Sequence, residues 1–313
     1  MKNGLVKFDL YLEQVKKLLE KAAVQADPAM WVFQNNLRTP FFMLEALTRI
    51  YGSMSSSKKL KKLRSKFKLV EDQIGKIDYY ESLLKDLGKY PEIPLQLTDI
   101  IKKKSVQSSK ELNRLLIEKW FRKRSLKKIY GKLCKVKWQK IKEEKKSVIK
   151  HYKRSVRDIV KKFSSSDFQE IEKDVHELRR ELRWLSIYPQ AMQGVFQYSD
   201  KSDETPELQK YLTLEIVNSP FNVLPSEGVS KYTIKVNKPN FLALSWMILE
   251  LGKIKDEGLL ISGLQEAIEQ SNFPEKPYEL LDLSPDIIST LLSRASTISK
   301  TYFTENSISG ILN

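Results

Sequence analysis

Apolar residues recur at three- and four-residue steps along most of this chain, the period of a helix with one buried face. Leu5, Phe8, Leu12, Val15, Leu18, Leu19 and Ala22 predict an amphipathic helix over 4–24. Asp27-Pro28 is a helix-start signal, with Asp as N-cap and Pro in the first turn. A second helical stretch runs from Met30 to Tyr51, and Pro40 inside it predicts a kink or a late helix start. After a Gly52-Ser53 break, Leu60, Leu63, Phe67, Val70, Ile74, Ile77, Tyr80, Leu84 and Leu87 predict a helix over 58–87, stopped by Gly88 and Pro91. Residues 90–105 read as a Pro-containing connector, and 109–163 as a long helical region. Gly131 is the internal weak point of that region, where a split into two helices is expected; one continuous helix is the alternative. Asp167, with Glu170 at the capping-box distance, opens the next helix, which ends near Pro189 or Phe196. Residues 199–239 hold four prolines and two alternating runs, Tyr211–Val217 and Tyr232–Val236, so they read as an inserted excursion with room for a small β-hairpin. Helix returns over 241–270, Ser284-Pro285-Asp286 opens a last helix to Phe303, and 304–313 read as a frayed tail. The expected fold class is all-α.

Composition changes this picture little. Gly (11) and Pro (12) are scarce in 313 residues, which favours helix. The single cysteine, Cys134, forms no internal disulfide, and no signal peptide or run of ~18 apolar residues is visible, so a cytoplasmic location without membrane partners is expected. Charge changes it more. The chain carries +16, and residues 101–162 alone hold 24 Lys and Arg against 5 Asp and Glu, while 197–313 hold 10 against 16. Such asymmetry points to a polyanionic partner at one region, although a solvated Lys-rich helix surface gives the same run.

The densest candidate for phosphate chemistry is the stretch from Asp174 to Trp184. His176, Arg179, Arg180 and Arg183 stand at offsets of zero, three, four and seven, which share one helical face. A guanidinium fork matches phosphate oxygens, and an imidazolium adds a charge-assisted bond. The plainer account is a surface stripe paired with Glu177 and Glu181. Two further groups share faces, Lys61 with Arg64 and Lys68, and the block of Lys153, Arg154 and Arg157 behind Lys150-His151-Tyr152. Metal and nucleophile chemistry finds no support: two histidines lie 25 residues apart, and no Walker, HExxH, GxSxG or Rossmann pattern appears. No cofactor is expected.

The chain also repeats itself. Residues 74–81 read I-G-K-I-D-Y-Y-E and residues 251–258 read L-G-K-I-K-D-E-G. Upstream of the first lies Asn35-Asn36-Leu37-Arg38, and upstream of the second His176-Glu177-Leu178-Arg179. These motifs resemble those of the CHAD family, the conserved histidine α-helical domain, in which each half carries a His-x-Leu/Met-Arg helix followed by an LGxxRDLD-type helix. His176 to Arg183 and Leu251 to Asp256 fit the second-half motifs, with Lys255 in an Arg place. In the first half Asn35 replaces the histidine, Asp78 the later arginine, and Phe41, Phe42 and Met43 stand on usually basic ground.

The resemblance implies two tandem, pseudo-symmetric four-helix bundles, 1–131 and 132–313, with the 199–239 insertion in the second. It also implies non-catalytic binding of inorganic polyphosphate in a basic channel between them. Arg38, His176, Arg179 and Arg183 are then the expected contacts, helped by Lys61, Arg64, Lys68, Lys153, Arg154 and Arg157. Two other readings stay open. One is a nucleic-acid-associated protein that stacks bases on Trp120, Tyr130, Trp138 or Tyr152 between the cations. The other is a degenerate interaction scaffold that has lost its ligand.

Overall fold

The computed structural model describes residues 3–55, 57–122, 124–200, 205–225, 231–305 and 308–312. In chain order the helices are α1 (Asn3–Ala22), α2 (Pro28–Gln34), α3 (Arg38–Ser55), α4 (Lys58–Leu87), α5 (Leu95–Lys119), α6 (Arg124–Cys134) and α7 (Ile141–Phe163). A π-helical turn, Ile171–His176, leads into α8 (Glu177–Ala191). After β1 (Phe196–Tyr198) come α9 (Pro206–Gln209), α10 (Leu214–Val217), β2 (Ile234–Val236), α11 (Lys238–Ser271), α12 (Pro277–Leu280) and α13 (Ile287–Thr304). The fold is all-α. No helix among the described residues is long and apolar enough to cross a membrane.

The chain divides into two compact units, 1–138 with 260–284, and 139–259 with 285–313. The first boundary between these units falls at Trp138/Gln139, and the tail of α11 belongs to the first unit. Gly131 lies inside α6. The long basic stretch breaks instead at 120–122 and 135–140, where Trp120 and Val136 turn into the core.

In the first unit, Asp27 caps α2 by accepting the Met30 N–H at 3.2 Å, and Asn113 of α5 donates to the same carboxylate at 2.9 Å. Asn36, at φ 56, makes the bend that lets α3 start at Arg38, so Pro40 sits in a first turn and no kink is needed. α4 packs against α3 and α5, with Leu60, Leu63, Phe67, Val70, Ile74 and Ile77 buried on one face. Phe41 meets Trp120 edge-on at 4.9 Å and Phe67 at 6.2 Å. Such ring contacts add about 1 kcal/mol beyond area burial.

In the second unit, Tyr152 of α7 is fully buried and donates to the Leu185 carbonyl of α8 at 3.1 Å. Asp167 does not cap the following helix; it pairs with Lys300 at 2.7 Å. Asp174 reaches back instead and accepts the Gln169 and Glu170 N–H groups at 2.7 and 2.8 Å. The excursion holds no hairpin among its described residues. β1 and β2 pair in parallel, Phe196 with Ile234 and Tyr198 with Val236, so the excursion is the crossover that a parallel pair requires. Of the expected run Tyr211–Val217, the last four residues form α10. Residues 308–312 are docked, with Ile311 and Leu312 buried and the Ile311 carbonyl accepting the Asn237 N–H at 3.1 Å.

Candidate polyanion-binding site

The two repeated motifs make the same contact, once in each unit. Arg38, at the start of α3, lies over Gly75 of α4, where a Cβ would stand 2.6 Å from its Nη2. Arg179 of α8 lies over Gly252 of α11, where a Cβ would stand 3.0 Å from its Nε. Each arginine also bonds to the residue four positions before its glycine. Arg38 Nε donates to the Glu71 carboxylate at 2.8 Å, and Arg179 Nε to the Ile248 carbonyl at 3.2 Å. Glycine recurs at these helix positions because a guanidinium occupies the space a side chain would need.

The charges around the two arginines differ. Arg38 is held between Glu71 and Asp78, with Nη1 to Asp78 at 2.6 Å, and its guanidinium rests on the Phe42 ring at 5.2 Å. Burial raises the Glu71 pKa above its ordinary value, and the Arg38 charge and hydrogen bond oppose that rise. Arg38 is therefore the counter-ion of a buried carboxylate. Phe41 is core and Phe42 is the seat of this guanidinium, which accounts for apolar residues on that ground.

In the second unit Lys255 occupies the place of Asp78, counted from the glycine. It pairs with Asp256 at 2.5 Å. His176 lies 3.4 Å from Glu172, while Arg180 pairs with Glu177 at 2.6 Å. Burial lowers the His176 pKa below 6.5; Glu172 opposes this, and Lys255, Arg179 and Arg180 reinforce it. The imidazole is accordingly neutral at pH 7. Arg179 and Arg183 are both half-buried on α8.

The remaining expected residues fall into two groups. On α4, Arg64 leans to the buried Glu45 at 3.5 Å and Lys68 pairs with Asp72, whereas Lys61 is exposed and has no ion pair among the described residues. On α7, Lys153, Arg154 and Arg157 are exposed along one face; Arg154 approaches Asp158 at 3.6 Å. Of the four aromatics proposed to stack bases, Trp120 and Tyr152 are buried, and Trp138 packs edge-on against Tyr51 at 5.1 Å. Tyr130 alone of the four is exposed. Among the described residues no group of three or more His, Cys, Asp or Glu side chains is placed to hold a metal ion.

A basic group not singled out by sequence is Lys66 with Trp120. The Lys66 ammonium sits over the Trp120 ring at 4.6 Å, and Lys119, Lys128 and Lys132 surround it closely enough to push its pKa down, after burial. The missed signal was a second stripe on α4, Lys59, Lys62 and Lys66, on the opposite flank of the apolar face from Lys61, Arg64 and Lys68.

No protein-family model, curated protein or solved structure matches this chain.

Proposed function

We propose that this protein binds inorganic polyphosphate without catalysing its breakdown, and that it is a divergent relative of the CHAD family. The observation that carries the first part is the exposure of the cations on α6 and α7. Arg124, Lys127, Lys128 and Lys132 on α6, and Lys145, Lys146, Lys150, Lys153 and Arg157 on α7, stand in solvent with no ion pair among the described residues. A helix face that concentrates like charge without neutralising it stores repulsion that a polyanion relieves. The repeated arginine-over-glycine contact supports the second part, since it ties the two motif copies to one local geometry.

The burial of Trp120, Tyr152 and most of Trp138 favours a ligand read by charge alone over one whose bases are stacked. Competition tests the proposal. Long-chain polyphosphate should displace a fluorescent single-stranded oligonucleotide at low salt, with no dependence on base composition. An oligonucleotide that resists displacement would support the nucleic-acid reading instead. A chain that binds neither ligand would be a scaffold.

A further inference from the structure

We propose that the first unit seats phosphate groups where α4, the end of α5 and α6 meet, on Lys66, Lys119, Lys128 and Lys132 around Trp120. The inference rests on the polyphosphate reading and places its strongest subsite away from the motif arginine Arg38, which two carboxylates already hold.

Helical geometry assembles the surface. On α6, Ile129 and Leu133 are buried, while Arg124, Lys127, Lys128, Lys132 and the following Lys135 point away from them. Gly131 lies at the centre of that basic face, and a Cβ built on it would meet no atom within 4 Å. A helix-interior glycine with no packing neighbour costs about 1 kcal/mol relative to alanine. Here it leaves the middle of the basic face low, so that an extended anion can lie against the backbone between the flanking lysines. α4 runs alongside, fixed where Lys59 Nζ donates to the Lys135 carbonyl at 3.1 Å. Lys66, two turns further on, brings its ammonium to Trp120. None of Lys66, Lys119, Lys128 and Lys132 has an ion pair among the described residues, while nearby Glu118 is engaged by Arg114 at 2.8 Å.

The chemistry favours a phosphate chain over a nucleotide. Trp120 is 3% exposed and its ring is covered by Lys66, so the Trp120 face is not open to a base. Lysines, unlike arginines, are compact charges with rotatable donors, which suits a flexible chain of tetrahedral phosphates more than one fixed bidentate partner. Repulsion from Lys132, Lys119 and Lys128 adds to burial in lowering the Lys66 pKa, so these ammonium groups act on one another.

The test compares polyphosphate affinity of the wild type, Lys128→Glu/Lys132→Glu, and Lys16→Glu/Lys17→Glu, which makes the same charge change on α1. The α6 variant should bind roughly tenfold or more weakly, and the α1 variant should stay near wild type. Equal affinity of the α6 variant and the wild type would overturn the site and leave the polyphosphate reading standing. Equal loss in both variants would also overturn it, by reducing the effect to net charge. A wild type that binds no polyphosphate at low salt would overturn the reading itself. NMR titration of the Lys66 amine in ¹³C-methylated protein gives a local readout. Saturating polyphosphate should raise its pKa, and an unchanged value would place the anion elsewhere.

Discussion

Arg38 is tied by ion pairs to Glu71, which is buried, and to Asp78. Its side chain is 28% exposed against 8% for Glu71, so removing it strands a carboxylate with little access to water. Arg38→Ala should lower unfolding stability by about 3 kcal/mol in urea denaturation while leaving polyphosphate affinity nearly unchanged. Gly75→Ala sets two effects against each other. Helix propensity favours alanine by about 1 kcal/mol, but the new Cβ displaces a guanidinium tied to two carboxylates, and that loss should win. In an Arg38→Ala background the same substitution should become neutral or stabilising, a sign change that a double-mutant cycle reads directly. Gly131→Ala, which meets open space, should stabilise by about 1 kcal/mol. His176 carries a pH prediction. Its folded pKa lies below the ordinary 6.5, so the unfolded chain takes up the proton first as pH falls. Stability should decline as pH falls through 6.5 relative to His176→Gln, and the two proteins should respond alike only toward pH 8.

Among elements, legibility followed the strength of local signals. The bounds of α4 agree with the expected 58–87 because a sustained apolar stripe ends at Gly88. The late start of α3 was one of two outcomes written in Pro40. The breaks around α6 were not legible, because no glycine or proline marks them. They arise from tertiary demand, as Trp120 and Val136 reach into the core, while the one glycine in that stretch sits on an exposed helix face. The parallel pairing of β1 and β2 was hidden for a similar reason. Phe196–Tyr198 and Ile234–Val236 are three residues each, and strands so short carry no signal of orientation or of a partner reached only through a long crossover. The basic stripes of α4 were equally ambiguous. Lys61, Arg64 and Lys68 on one flank and Lys59, Lys62 and Lys66 on the other read alike until α3 supplied Glu45 to the first and α6 supplied more lysines to the second.

At the scale of the whole molecule, the charge map was the most informative property of the sequence, and the motif residues were less so. The motifs located two arginine-over-glycine contacts, which explain why glycine stands inside α4 and α11. The placement of the cations depended on which helix faces became buried, and periodicity alone left two choices for α4. The central claim is that a polyanion binds through these exposed cations by displacing counterions. The most direct measurement is the affinity of wild-type protein for long-chain polyphosphate over a series of salt concentrations. A straight fall of log affinity with log salt, with a slope of several, is expected. Affinity that stays flat with salt, or no binding even at the lowest salt, would contradict it.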